Sequence, residues 1–355
     1  MAEIIRIAIC GAGNRTLPKK PETSNWFGWM DLIHRHPAFE LVGVQDVADE
    51  ALARAVERGY ITREKAFKSP ETMLDAIQPE ALLVTTPAEF HATNLLLGVE
   101  RNLHLMVEKP FVANIAEGEE IVKKIETAGK VSLVVQNWRY KDVGRRIRDF
   151  IASGALGPVG HIIFRYVRNR ENPNYPAYIF EEDFPLLYAM GIHHFDLFRY
   201  ILGDEVVSIA GQSFKPPWSM YRSATGHNLF METKNGVAIS YTGTISSQNG
   251  ALPQESLVIE GANGTLINNT DWMEPPLLFY EKGKKEPIDL TYDVRDRSVR
   301  AQYDAADIYL LENFRAAIQE GMPSTCPAAD SLKSLKLLEA ACQTCQTGKK
   351  IQINE

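Results

Sequence analysis

The sequence predicts an α/β protein, with an N-terminal doubly wound parallel sheet followed by an α+β part built on a large, mostly antiparallel open sheet. Three observations lead there. Over the first 135 residues short apolar runs alternate with longer amphipathic ones. From residue 206 the runs are short, rich in Val, Ile, Tyr and Thr, and joined by Gly and Asn turns. The 355 residues also exceed what one core usually serves, so two domains are expected, 1–138 and 139–355.

The runs Ile4 to Cys10, Leu41 to Asp46, Ala81 to Thr85, Leu103 to Val107 and Val131 to Val135 have the length and composition of buried strands. Residues 26–36, 49–58, 71–77, 89–101 and 115–128 supply helical patterns between them. Strand, helix and strand in succession imply parallel pairing and a nucleotide-binding architecture. After Arg139 come a helix at 142–153, a turn from Gly154 to Pro158, a strand from Val159 and a helix at 186–202. Residues 206–214, 226–233, 236–246, 254–260, 264–268 and 277–281 read as strands, with Asn235-Gly236 and Asn263-Gly264 as hairpin turns. Helices at 303–320 and 328–347 close the chain.

With 45% hydrophobic and 23% charged residues the chain can bury a large core. Lys+Arg 38 against Asp+Glu 45 gives a net charge of −7, which disfavours nucleic acid or an anionic membrane as partner. No apolar stretch approaches membrane-spanning length, and the first run lacks the length and basic flank of a signal peptide. Four scattered cysteines suggest a reducing compartment, the cytoplasm. Cys342 and Cys345 form a C-x-x-C, but no second Cys or His pair accompanies it, so ordinary helix residues are expected.

Directly after the first strand stands Gly11-Ala12-Gly13-Asn14-Arg15-Thr16, a G-x-G with Thr16 in place of a third glycine. Glycines there permit a tight turn and let the backbone approach a pyrophosphate held by helix N-terminal amides. Asp46, at the end of the second strand, is placed to accept hydrogen bonds from both hydroxyls of an adenosine ribose, and no Arg or Lys occupies 47–49, which favours NAD over NADP. The Pro-containing segment Asn14 to Asn25 must leave the sheet before a helix starts near Ser24 or Asn25, either to cover the pyrophosphate or as a surface insertion. Adjacent histidines diverge by about 100° on a helix, so His193 and His194 are not expected to grip one metal ion. Asp196, three residues after His193, could bind a sugar hydroxyl or orient the histidine. Arg165, Arg168 and Arg170 form a cluster suited to a carboxylate, sulfonate or phosphate, or to ion pairs with Glu171, Glu181 and Glu182.

Gly11-Ala12-Gly13, Val84-Thr85-Thr86-Pro87 with His91, Glu108-Lys109-Pro110 and Gly191-Ile192-His193-His194-Phe195-Asp196 together resemble the glucose-fructose oxidoreductase and inositol dehydrogenase (Gfo/Idh/MocA) family of dinucleotide-dependent sugar oxidoreductases. The endings Phe314 to Gly321 and Gly348-Lys349-Lys350 also look like that family. The resemblance implies a Rossmann domain whose NAD site includes Gly11, Ala12, Gly13, Asn14, Arg15, Asp46, Thr85, Thr86, Pro87, His91, Glu108 and Lys109. It implies that Lys109 faces the nicotinamide and the reacting hydroxyl, and that His193 takes the alcohol proton. Arg139, Arg168, His194 and Asp196 are the candidate substrate contacts, with Arg139 given by the resemblance.

One departure stands out, since related inositol dehydrogenases often carry an aspartate four residues before the histidine, where this chain has Ala189. Either His193 works alone with Lys109, or a carboxylate among Glu181, Glu182 and Asp183 reaches in. The expectation is a soluble NAD-dependent dehydrogenase acting on a secondary alcohol of a sugar, inositol or sugar acid, assembled as a dimer or tetramer. The alternatives are an NAD-dependent glycoside-cleaving enzyme that works by oxidation and elimination, and a non-catalytic dinucleotide sensor.

Overall fold

The computed structural model describes residues 3–248 and 252–353. The chain divides into two compact units, Met1–Asn137 with Tyr303–Leu332, and Trp138–Gln302 with Lys333–Glu355. The first unit therefore takes in residues 303–332 from the far end of the sequence, which linear reading assigned to the second domain.

The first unit holds a six-stranded parallel sheet: β1 (Ile5–Cys10), β2 (Phe39–Gln45), β3 (Ala66–Phe67), β4 (Ala81–Val84), β5 (His104–Glu108) and β6 (Ser132–Val135), in spatial order β3-β2-β1-β4-β5-β6. Helices α1 (Trp29–Arg35), α2 (Asp49–Glu57), α3 (Pro70–Ile77), α4 (His91–Glu100) and α5 (Ile115–Ala128) make the crossovers. Nearly every residue of β1, β2 and β4 is buried, as a sheet covered on both faces requires. Strand order reverses between β1 and β4, so a crevice opens beyond their carboxyl ends, where Gly11 and Thr85 follow. Local signals fix the helix ends: the Asn114 side chain accepts the Glu117 amide at the start of α5, and Ser69 accepts the Thr72 amide at the start of α3.

The second unit carries α6 (Asp142–Ala152), β7 (Val159–Val167), α7 (Ile192–Leu202) and the strands β8 (Val206–Phe214), β9 (Gly226–Thr233), β10 (Ala238–Thr244), β11 (Glu255–Gly261), β12 (Gly264–Asn268), β13 (Leu278–Glu281) and β14 (Ile288–Asp289). With β15 (Ile351–Gln352) they form a nine-stranded sheet, β14-β13-β12-β11-β7-β10-β9-β8-β15, antiparallel except for the β7–β10 pair. Helices α8 (Val299–Gln319) and α9 (Ala328–Thr347) follow β14 in the chain. Strict alternation on β9 turns Leu229 and Met231 inward and leaves Phe230 exposed. The inward face packs on α7 through Phe195 against Tyr241 and Phe198 against Phe164.

Two readings need correction. Strands β3, β14 and β15 were not foreseen, because two residues carry no periodic signal. Helix α1 starts at Trp29 rather than near Ser24, since Gly28 has φ +100° and the Thr16 carbonyl and Pro18 ring fill the space where a Cβ would stand. The segment ahead of it holds a 3-10 turn, Pro21–Thr23, and is tied to the C-terminal end of α2 by Arg58, which donates to the carbonyls of Pro18 and Lys19 at 2.8 and 3.2 Å.

Candidate active site

In the first unit the glycine turn is built by steric exclusion. Gly11 has φ +99°, and a Cβ there would lie 2.8 Å from the Thr85 and Thr86 backbone, so only glycine fits. A Cβ on Gly13 would meet nothing within 4 Å, which leaves that backbone open to a bulky ligand. No helix follows the glycines directly, as the prolines of the Asn14 to Asn25 segment led one to expect. Gly13 instead opens a turn whose carbonyl accepts the amides of Thr16 and Leu17 at 3.0 and 2.8 Å, because α1 begins only at Trp29. Thr16 stands where a third glycine is usual, and its hydroxyl bonds Thr85 Oγ1 at 2.7 Å, locking the β1 and β4 loops together. Asp46 accepts the amide of Ala12 at 2.6 Å and that of Ala48 at 2.8 Å. Asn14 is exposed; its side chain accepts the Lys19 amide.

Lys109 follows the last residue of β5 and is half-buried. Glu108 beside it is engaged rather than open: Arg15 Nε lies 2.9 Å from its carboxylate and Trp29 Nε1 donates to it at 2.8 Å. Buried His91 sets its two ring nitrogens 2.8 Å from the carbonyls of Pro110 and Thr86, so it pins the backbone on either side of the site. Thr86 also meets the Asn94 amide at 3.3 Å, and Pro87 stays exposed.

In the second unit His193 heads α7, and its ring stacks on Trp138 at 5.8 Å between centroids and 17° between planes. His194, proposed from sequence as a substrate contact, is fully buried among Trp138, Phe164, Tyr166 and Tyr241, with Nδ1 3.1 Å from the Tyr241 hydroxyl. That enclosure fits packing better than contact with a polar ligand. Arg139 and Asp196, also proposed as substrate contacts, are brought to each other: Nε and Nη2 of the arginine each lie 2.5 Å from the carboxylate, and Ser334 donates to it at 2.8 Å. Both side chains are nearly inaccessible, so either could reach a substrate only by opening a buried ion pair.

The three arginines in and after β7 part company. Arg168 lies over the Trp272 ring at 4.4 Å, Arg165 donates to the Pro253 carbonyl, and Arg170 lines a pocket of about 440 Å³. The same pocket brings together Ala189, Glu182 and Asp183. Ala189 belongs to a π-helical turn, Leu187–Gly191, that runs into α7. Burial pushes the Glu182 carboxyl up against the opposing pull of Arg170, whereas hydrogen bonds from Ser223 and Arg222 hold Asp183 low.

Sequence reasoning missed Trp29, Asp307 and Trp138. Nothing in the linear pattern marks them, since each acts through a residue distant in the chain.

A family model described as the oxidoreductase family with an NAD-binding Rossmann fold matches residues 5–136, and the model of its C-terminal α/β domain matches residues 148–353. The chain belongs to this oxidoreductase family. Among its relatives, D-glucoside 3-dehydrogenase of Escherichia coli K12 is 27% identical over 70% of this chain and 68% of its own. The scyllo-inositol 2-dehydrogenase (NAD(+)) of Bacillus subtilis is 22% identical over 100% of this chain and 98% of its own. A crystal structure of an oxidoreductase from Agrobacterium radiobacter in complex with NAD+, L-tartaric acid and magnesium shares the fold, with a TM-score of 0.84, 16% identity and 98% of each chain covered.

The cofactor of this oxidoreductase is NAD, and the residues present fit it. Gly13 leaves the open backbone that close approach requires, and Asp46 keeps a carboxylate at the end of β2 with no cation in the three residues behind it. No helix among the described residues is long and apolar enough to cross a membrane.

Proposed function

We propose that the protein is an NAD-dependent dehydrogenase that interconverts a secondary alcohol and a ketone on a sugar, inositol or sugar acid, working in a reducing cytoplasm as a dimer or tetramer. The observation that carries this reading is the position of Lys109, one residue beyond β5 at the same sheet edge as the glycine turn, with its neighbour Glu108 tied to Arg15 of that turn. The relatives' names add the substrate class, a glucoside and an inositol.

When bound, NAD supplies the hydride acceptor. The Lys109 ammonium hydrogen-bonds the alcohol oxygen and stabilises the negative charge that develops there as its proton leaves. His193 accepts that proton, its ring plane fixed by the stack on Trp138. Glu182 takes the part of the aspartate that Ala189 replaces, because it shares a pocket with that position and is not held low as Asp183 is. Arg170, on the same pocket, receives the carboxylate of a sugar acid.

Lys109→Ala and His193→Ala are each expected to lower turnover by roughly two to four powers of ten while NAD binding persists. Near wild-type turnover in either variant would remove that residue from the mechanism.

A glycoside-cleaving variant of the same chemistry is the second reading, favoured by the loss of the carboxylate at Ala189 and by the glucoside named for the Escherichia coli relative. Oxidation would acidify the neighbouring C–H, elimination would release the aglycone, and return of the hydride would leave no net NADH.

A further inference from the structure

Arg15 leaves the glycine turn and ends between two carboxylates. Its Nε lies 2.9 Å from Glu108, and Nη2 lies 2.7 Å from both oxygens of Asp307 on α8, 292 positions along the chain. The guanidinium sits over the Trp29 indole with Cζ 4.9 Å from the ring centroid, and the Trp29 N–H bonds the Glu108 oxygen that Arg15 also meets. The second Glu108 oxygen accepts the backbone amide of Lys109 at 3.3 Å. Asp307 is fully buried, and Asn137 donates to it at 3.4 Å. A continuous run of polar contacts therefore leads from the glycine turn through Arg15 and Glu108 to the Lys109 backbone.

Burial opposes the charge on Arg15, but Asp307 and Glu108 outweigh it and hold its pKa above the ordinary value. Burial raises the Asp307 carboxyl, and Arg15 is the main group that opposes this. An arginine placed only to neutralise two acids would be served by the contacts already made. Arg15 Nη1, however, is a buried donor with no hydrogen-bond partner among the described residues.

We infer that Arg15, held by Asp307 and Trp29, is a positioning residue that couples occupancy of the dinucleotide turn to the placement of Lys109. A cofactor oxygen satisfies Nη1 and fixes the guanidinium, and the guanidinium fixes Glu108 and with it the Lys109 amide. Because Nε is engaged by Glu108 and Nη2 by Asp307, the two carboxylates together set the plane of the guanidinium, and neither the charge of Arg15 alone nor that of Asp307 alone suffices. The inference rests on the reading of Lys109 as the residue facing the reacting hydroxyl, while the coupling itself is measurable without substrate.

The test combines NAD titration by calorimetry with hydrogen–deuterium exchange of the backbone segment 104–112, on the full chain with and without saturating NAD. In the wild type, NAD should slow exchange in that segment at least tenfold. Arg15→Lys keeps the charge but loses the fork, and Asp307→Asn keeps the shape but loses the charge. Each should raise the NAD dissociation constant about tenfold and, once saturated with NAD, should lose most of that slowing. Trp29→Phe keeps an aromatic face under Arg15 and drops one bond to Glu108, so it gives a milder form of the same defect if Asp307→Asn does not fold. Slowing that persists undiminished in the NAD-saturated variants, or that never occurs in the wild type, overturns the coupling. Failure of the Lys109 reading shows differently, as unchanged turnover in Lys109→Ala with the exchange effect intact.

Discussion

At the residue scale, the proposed chemistry rests on Lys109, half-buried just beyond β5, and on His193, whose ring stacks on Trp138. By contrast, Asp196, expected to bind a sugar hydroxyl or orient His193, is buried against Arg139, 57 positions away. His194 looked like a second polar contact and is enclosed by four aromatic rings, Phe164 and Tyr166 from β7, Tyr241 from β10 and Trp138 from the turn ahead of α6. A residue's type shows what it can do, and its burial decides whether substrate can reach it. His227 shows the same principle in stability. Burial lowers its pKa from 6.5 to about 4, with the Cys345 thiol 3.5 Å from its ring as the polar neighbour. Above pH 6.5 the histidine is neutral in both folded and unfolded chains. As pH falls below that, the unfolded chain takes the proton and the folded one does not, so stability is lost down to about pH 4, by roughly 3 kcal/mol in all. His227→Gln should lack that component. Urea denaturation at pH 7 and pH 4.5 should show the wild type losing about 2–3 kcal/mol more than the variant; equal losses would mean the group does not titrate this way.

At the element scale, periodicity located the longer strands and the helices, because a buried face repeats every second residue in a strand and every three to four in a helix. It failed where length or backbone conformation rather than pattern decides. Two-residue strands such as β3 carry no repeat. The π-turn ahead of α7 continues an apolar helical pattern without a signal of its own. The delayed start of α1 depends on Gly28, whose backbone (φ +100°, ψ 150°) is essentially reserved for glycine and whose missing side chain makes room for Thr16 and Pro18. Gly28→Ala is therefore expected to destabilise the protein by about 2 kcal/mol or more. It should also weaken NAD binding, since the Thr16 carbonyl that the new Cβ would strike belongs to the turn that Gly13 opens. A melting temperature and NAD affinity both unchanged would show that the turn tolerates a side chain.

At the scale of the whole molecule, the sequence indicated the succession of a parallel sheet and a larger, mainly antiparallel one. It did not indicate that residues 303–332 join the first compact unit, because a helix that supplies a partner such as Asp307 to a loop 292 residues earlier leaves no local trace. The nine-stranded sheet also exposes a feature with consequences for assembly. Its outward residues align across neighbouring strands as Ala210, Phe230, Ser240, Ile163, Val258, Ile267 and Leu278. Phe230 and Ile163 are 51% and 44% exposed. A largely apolar row on an open face favours burial against a second copy, while the two-residue strands β14 and β15 blunt the sheet edges and discourage edge-to-edge growth. Light scattering at micromolar concentration should give a dimer or tetramer for the wild type and a smaller species for Ile163→Glu with Phe230→Glu; a wild-type monomer would contradict this. Oxidation of a carbohydrate alcohol by this protein with NAD can be followed by absorbance at 340 nm over a panel of sugars, inositols, sugar acids and glycosides, with mass analysis of the products. A dehydrogenase should give one equivalent of NADH per equivalent of a product two mass units lighter, with the rest of the substrate intact. Release of an aglycone with no net NADH, or no NADH from any member of the panel, would contradict that function.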